Sequence, residues 1–252
     1  MAIDHARSRV AELIGAKKAG EIIFTSGGTE SNNVAIRGVA HRNREKGDHI
    51  ITTKIEHMSV INTCKSLQKE GFKVTFIPVD KYGVVDLEKL KNEINERTIL
   101  VSVMYANGEI GTIEPIREIG SICHDRKIHF HVDAVAAAGK ILIDVERENI
   151  DLLSISSNDM YGPKGVGALY IREGTGIVPV IFGGGQEKGL RSGSENIPGI
   201  SGMGKAAEIA KSEMYSEGRR MVELRDILIN NIIHDIPHSY LNGHPMERLP
   251  NN

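Results

Sequence analysis

The sequence has 252 residues, of which 40% are hydrophobic, enough for a packed core in one large domain or two small ones. Lys and Arg number 31 against 33 Asp and Glu, giving a net charge of -2 without single-sign runs, which argues against nucleic acid or an anionic membrane as a partner. There are only two cysteines, Cys64 and Cys123, and we find neither a bilayer-spanning apolar stretch nor a signal-peptide pattern. We therefore expect a reduced, cytoplasmic protein without a disulfide framework.

Apolar segments alternate with helical patterns along the whole chain. Seven strands are predicted, at 21–25, 49–53, 73–78, 98–104, 128–132, 150–155 and 166–172. Helical patterns are predicted at 4–14, up to 44 after the first strand, and at 59–70, 86–95, 115–126 and 198–236. The alternation predicts an α/β fold with a mainly parallel sheet covered by helices on both faces.

The first predicted strand runs directly into a glycine-rich turn, Ser26-Gly27-Gly28-Thr29, where a helix begins. Such a turn leaves backbone N–H groups unpaired beside the positive end of the helix dipole, an arrangement that favours a phosphate. Thr29 adds a hydroxyl donor. Taken alone, the pattern favours an ordinary helix start capped by Ser26 or Thr29.

Polar residues also follow three later strands. Glu56-His57 comes after the second strand, and a histidine in that position is more often a cap or a satisfied polar group than a catalyst. Asp133 ends the fifth strand, where a buried carboxylate is costly unless it is paired or caps a helix that starts at Ala134. The loop at 156–165 is either a ligand site or a plain connection.

Five motifs, taken together, resemble one family. They are Phe24–Asn33 (FTSGGTESNN), Glu56-His57, His131–Ala134 (HVDA), Ile150–Gly165 (IDLLSISSNDMYGPKG) and Arg191–Ser194 (RSGS). In this order they resemble the cysteine desulfurases of the NifS/IscS kind, which are pyridoxal 5'-phosphate (PLP) enzymes of the aminotransferase class V group.

The resemblance implies a PLP-dependent transferase of fold type I. Its expected architecture is a mainly parallel seven-stranded sheet with helices on both faces, plus the start of a small C-terminal domain. We expect a large PLP-binding domain at 1–213, without its N-terminal part, and a connecting helix with the beginning of the small domain at 214–252. Because family members extend beyond both ends of this chain, we interpret the sequence as a fragment or a truncated gene product.

The resemblance also assigns contacts with the cofactor. Gly28 and Thr29 match phosphate contacts, His57 matches the residue that stacks on the ring, and Asp133 matches the partner of the pyridinium nitrogen. The residue matching Ser194 contacts the phosphate in the neighbouring subunit, which implies a homodimer. The complete set of expected cofactor-binding residues is Gly28, Thr29, His57, Asp133, Ser156, Asn158 and Ser194; no metal ligands are expected.

The chain departs from the family at the residue on which the chemistry depends. The family loop resembles S-x-H-K-x-Y-G-P-K-G, in which the first Lys carries PLP as a Schiff base. Here Asn158 and Asp159 occupy the His and Lys positions, so the catalytic assignment is His57 together with a substituted position 159. Lys164 matches the second Lys of the motif and is a poor substitute. Gly108 and Ala136 replace an Asn and a Gln that contact the phenolic oxygen of PLP.

Three functions remain open at this point. By resemblance, the nominal function is cysteine desulfurase, converting L-cysteine to L-alanine and delivering persulfide sulfur for iron–sulfur cluster assembly, with a scaffold protein of the IscU type as partner. The second is a catalytically inactive homologue that serves as a scaffold or partner in that assembly. The third is a metal or cofactor binder that uses Asn158 and Asp159, without a supporting His/Cys cluster. Since the Lys is absent and neither Cys64 nor Cys123 matches the family's nucleophilic Cys, we predict weakened PLP binding and no desulfurase turnover.

Overall fold

The computed structural model describes residues 1–252 and contains six α-helices and seven β-strands. The helices are α1 (Ala2–Leu13), α2 (Gly28–Arg42), α3 (Met58–Lys69), α4 (Leu87–Glu93), α5 (Ile116–Asp125) and α6 (Ile197–Asp235). The strands are β1 (Ile22–Thr25), β2 (His49–Thr53), β3 (Lys73–Ile77), β4 (Thr98–Met104), β5 (His129–Asp133), β6 (Leu152–Ser156) and β7 (Gly167–Ile171). Single turns of 3₁₀ helix lie at Ala19–Glu21, Asn158–Met160 and Glu187–Gly189. No helix combines the length and apolar character needed to span a membrane.

The seven strands form one sheet in the order β1-β7-β6-β5-β4-β2-β3. The pairs from β3 through β6 are parallel, and β7 runs antiparallel to both β1 and β6. Every residue of β1, β2, β4, β6 and β7 is buried, as expected for strands covered on both faces. The structure confirms the predicted sheet, including its mainly parallel character.

Helices pack on both faces of the sheet around separate apolar cores. On one face, α2 and α3 contribute a core that includes Ile36 and Leu67. On the other, α1, α4, α5 and α6 contribute a larger core that includes Val10, Leu90 and Met203. The layered arrangement positions the loops at the carboxyl ends of the parallel strands on one edge of the sheet.

A row of polar side chains crosses the buried centre of this sheet. His131 in β5 is fully buried, with Nδ1 2.8 Å from Ser102 Oγ in β4 and Nε2 3.0 Å from Ser154 Oγ in β6. Burial lowers the pKa of His131 to about 3, so its ring is neutral at physiological pH. One ring nitrogen therefore donates a hydrogen bond and the other accepts one.

Helix α6 packs against α1 through its first half only. A Cβ atom on Gly204 would lie 2.5 Å from Ala6 Cα, so the two helix backbones touch closely there. Farther along α6, apolar side chains such as Leu224 and Leu228 are exposed. The segment 242–252 lies against the loop after β4, with Arg248 and Leu249 buried. The division into domains at 213 and 214 stays a prediction.

Candidate active site

A cavity of about 620 Å³ opens at the carboxyl ends of the parallel strands. Its wall is built from the loops that follow β1, β2, β4, β5 and β6, which is where ligands bind in open α/β sheets. Seven of the residues predicted from the sequence meet in this wall: Gly28, Thr29, His57, Asp133, Ser156, Asn158 and Asp159. Ser194 is exposed and does not line the cavity of its own chain, so its proposed contact across a dimer stays a prediction.

The start of α2 presents unpaired amides to the cavity. Gly27 is the N-cap residue, with a φ of 152° that favours glycine, and no side chain caps the helix. The amides of Gly28, Thr29 and Glu30 have no acceptor within the protein. The expectation of a capping hydroxyl from Ser26 or Thr29 is therefore wrong, because a glycine takes the cap position. What remains is an anion cradle of free N–H groups at the positive end of a helix.

Asp133 ends β5 at the floor of the cavity and is only 5% exposed. Its Oδ1 accepts a hydrogen bond from the Val135 amide at 3.0 Å, and its Oδ2 accepts one from Asn32 Nδ2 at 2.7 Å. The residues after it form turns rather than a helix, so the alternative role as a helix N-cap is wrong. Burial raises the pKa of Asp133, and the two donated hydrogen bonds oppose that rise.

His57 lies at the mouth of the cavity, and its conformation is fixed by α3. It is the N-cap residue of that helix, with Nδ1 accepting from the Ser59 amide at 3.1 Å and lying 2.7 Å from Ser59 Oγ. The capping role expected of a histidine after a strand is confirmed. The capping bond leaves the ring on the cavity wall, where it can contact a ligand.

Glu56 is a site residue whose environment the sequence did not reveal. It is 5% exposed, and its Oε1 accepts from Thr53 Oγ1 at 2.7 Å and from the Met104 amide at 3.0 Å. Its Oε2 has no partner. Burial raises the pKa of Glu56 to about 8, so the side chain carries a proton at neutral pH.

Asn158 and Asp159 lie on a single 3₁₀ turn after β6. Ser156 Oγ donates to Asn158 Oδ1 at 2.8 Å, and Asn158 Nδ2 donates to Asp159 Oδ2 at 3.0 Å. No Lys or Arg side chain lies within 4.0 Å of the Asp159 carboxylate. Lys140 Nζ is held instead by the Ala136 carbonyl at 3.0 Å. Burial lowers the pKa of Lys140, against an opposing effect of the Asp159 charge.

The wall contains no lysine or arginine at all, and Lys164 lies outside it. Gly108 and Ala136 are neighbours there, since a Cβ on Gly108 would lie 3.6 Å from Ala136 Cβ. Neither residue has a side-chain hydrogen-bond donor. The two substitutions of the family's Asn and Gln therefore leave one patch of the wall without the donors that contact the phenolic oxygen.

The cavity fits two parts of PLP and fails to fit a third. The free amides of α2 fit a phosphate, and Asp133 fits a protonated ring nitrogen. At the aldehyde end, a carboxylate stands where an amine is needed for a Schiff base, and the donors for the phenolic oxygen are missing. A covalently anchored PLP therefore does not fit this chain.

The structure offers no thiol nucleophile and no metal cluster at this site. Cys64 and Cys123 are both free and buried in the apolar cores, where burial raises the pKa of both thiols, that of Cys64 to about 12. No group of three or more His, Cys, Asp or Glu side chains could hold a metal ion.

Comparison with known proteins points to one family. The sequence profile of the aminotransferase class-V family matches residues 1–251. The cysteine desulfurase IscS 1 of Archaeoglobus fulgidus is 59% identical over 99% of this chain and 65% of its own length. The cysteine desulfurase IscS of Methanosarcina thermophila is 54% identical over 100% of this chain and 62% of its own length. A solved structure described as a NifS-like protein superposes with a TM-score of 0.95 and 42% identity, covering 99% of this chain and 68% of its own.

The fold is thus that of a PLP-dependent transferase of fold type I, as the sequence motifs predicted. The chain belongs to the aminotransferase class V family. It spans 62–65% of the length of these two curated relatives.

Proposed function

We propose that this chain is a cysteine desulfurase by descent that keeps the cofactor-shaped cavity but does not convert L-cysteine to L-alanine. The observation that carries the proposal is Asp159, which stands at the Schiff-base position in a wall without any Lys or Arg. PLP, when bound, supplies an electron sink for carbanion chemistry. In this chain, Asp133 and the amides of Gly28 and Thr29 would hold its ring nitrogen and phosphate, and His57 would lie against its ring.

The nominal role, supported by the names of the relatives, is sulfur transfer from L-cysteine for iron–sulfur cluster assembly. That reaction needs an amine to exchange with the substrate and a thiolate to accept sulfur. This chain has neither at the cavity: no lysine lines the wall, and both thiols are buried in the cores. The activity therefore requires groups that residues 1–252 do not supply.

A second candidate is an inactive partner in the same assembly, together with a scaffold protein of the IscU type. What favours it is the contrast between the intact frame and the altered chemistry: sheet, α2 cradle and Asp133 are all kept. A homodimer is part of this proposal, supported by the exposure of Phe182 and Ser194 in one loop. Two free, buried cysteines are compatible with a cytoplasmic protein.

Borohydride reduction in the presence of PLP tests the proposal directly. The wild-type protein should be recovered without an adduct on any cavity residue, since no amine faces the cavity. The double variant N158H/D159K, which restores the family's pair, should give a single reduced adduct at position 159. Peptide mass mapping distinguishes that adduct from scattered labelling of surface lysines.

Alanine production completes the test. Wild-type protein incubated with L-cysteine and PLP should release no more alanine than PLP alone. Alanine above that control, or a single trapped adduct at Lys140 or Lys164 of the wild-type chain, would overturn the proposal and indicate a relocated Schiff base.

A further inference from the structure

The charge of the cavity wall is unusual for a site that takes a phosphate. Five carboxylic acids line it, Glu30, Glu56, Glu109, Asp133 and Asp159, and no Lys or Arg accompanies them. Arg191, behind the wall, neutralises Glu30 with its Nε 2.7 Å from Glu30 Oε1. Glu109, Asp133 and Asp159 have no such partner within 4.0 Å. The wall therefore presents an anion cradle at α2 and uncompensated negative charge elsewhere.

These two features come from different loops and favour different parts of one ligand. The free amides of Gly28 and Thr29 follow β1, whereas Asp159 follows β6. A ligand with an anionic group at one end and a cationic group at the other satisfies both. An aldehyde at the second end carries no positive charge to pair with Asp159, and it finds no amine with which to form a Schiff base.

Two buried atoms independently indicate that the cavity takes a polar ligand. Asn32 Oδ1 and Glu56 Oε2 belong to residues that are 1% and 5% exposed and that line the cavity, yet neither atom has a hydrogen-bond partner. Buried polar atoms are rarely left without a partner, so a bound molecule is a natural source of the missing bonds.

Asp159 is available for an ion pair with such a ligand. One carboxylate oxygen accepts from Asn158 Nδ2, and no hydrogen bond engages the other oxygen. Lys140, the nearby cation, is committed to the Ala136 carbonyl and forms no ion pair with Asp159. An ion pair between a ligand ammonium and the free oxygen would therefore replace no hydrogen bond or ion pair of the protein.

We propose that this cavity binds the aminated cofactor form, pyridoxamine 5'-phosphate, in preference to pyridoxal 5'-phosphate. Its phosphate would lie on the α2 amides, its ring nitrogen on Asp133, and its ammonium against Asp159. Binding is non-covalent and needs no lysine, which resolves the misfit of the aldehyde form. The inference rests on the proposed function above, since it assumes that the altered cavity still receives a cofactor of this shape.

Calorimetric titration of the purified chain tests this preference. Pyridoxamine 5'-phosphate should bind at least about tenfold more tightly than pyridoxal 5'-phosphate, the size of a charge-assisted hydrogen bond. D159N keeps the shape and removes the charge, so it should weaken the amine form about tenfold and leave the aldehyde form within about threefold. E109Q makes the same charge change elsewhere on the wall and should affect both forms alike. Circular dichroism confirms that each variant is folded.

The outcomes separate the two proposals. Equal affinities for the two forms, an unchanged preference in D159N, or no binding of either form would overturn the inference. None of those results is evidence for a Schiff base or for alanine production, so the proposed loss of desulfurase activity would stand. Conversely, trapping or turnover would remove the proposed function, whatever the pyridoxamine titration shows.

Discussion

Glu56 makes the stability of this protein depend on pH in a direction that can be worked out in advance. Burial raises its pKa from 4.5 to about 8, and the hydrogen bonds that Oε1 accepts from Thr53 and Met104 only partly oppose that rise. The folded state therefore keeps a proton that the unfolded state releases above its own pKa. Stability from this residue is fully present below pH 4.5 and is lost as the pH rises towards 8.

The size of the effect follows from the shift. Each pH unit inside that window costs up to about 1.4 kcal/mol of unfolding free energy, so Glu56 removes about 2–3 kcal/mol between pH 5 and pH 7. A further loss of about 1 kcal/mol falls between pH 7 and pH 8. E56Q keeps an uncharged side chain of the same shape and removes this dependence. Any cost of placing an amide at Oε2 is the same at every pH.

Glu114 provides a matched control. It is also buried, with Oε1 unpartnered, and burial raises its pKa to about 7. E114Q should remove only the Glu114 share of the loss, which falls mostly below pH 7, and leave the Glu56 share in place. E56Q should instead abolish most of the loss between pH 7 and pH 8. Urea unfolding followed by circular dichroism is the suitable assay, because the chain contains no tryptophan. Parallel losses for wild type and E56Q from pH 5 to pH 8 would refute the reasoning.

Two further predictions concern the frame around the site. G204A should lower the free energy of unfolding by about 1–3 kcal/mol, since its Cβ would lie 2.5 Å from Ala6 Cα. G218A in the same helix, where the nearest atom is 4.0 Å away, should instead stabilise by about 0.5–1 kcal/mol, and equal urea midpoints for the two would contradict this account. E187A should lower the free energy of unfolding by about 3–5 kcal/mol, because it leaves the charge of Arg7 without a partner. In the wild-type chain, the Arg7 guanidinium donates to both Glu187 carboxylate oxygens at 2.7 Å. A loss below 1 kcal/mol in denaturant unfolding would show that this pair contributes little.

The fold was predictable because its determinants are local. Strands such as Thr98–Met104 consist, apart from Ser102, of apolar or β-branched residues in one continuous run, and that pattern can be recognised from the sequence alone. The position of Asp133 at a strand end was predictable for the same reason. The family motifs selected Gly28, His57 and Asp159, and the structure places all three in the wall of one cavity, whereas their roles stay predictions.

What escaped prediction depends on contacts between distant residues. The protonation of Glu56 follows from its burial in the folded chain, where its contacts include the Met104 amide 48 positions away, and no local pattern encodes that burial. The cap at Gly27, rather than a hydroxyl, depends on the backbone conformation of a single residue. The segment 242–252 has no strong periodicity, so its packing on the loop after β4 could not be anticipated.

The hydrogen-bonded row formed by Ser102, His131 and Ser154 allows residues of the site to be substituted while the sheet beneath it keeps its structure. A slip of one residue between β4, β5 and β6 would turn these groups to opposite faces and leave an imidazole and two hydroxyls unpaired in the core. The row therefore fixes the alignment of the three strands from below the cavity, with no contribution from position 159 or from any bound molecule. The shape of the pocket is inherited from the sheet, and its chemistry is set separately by the loops above.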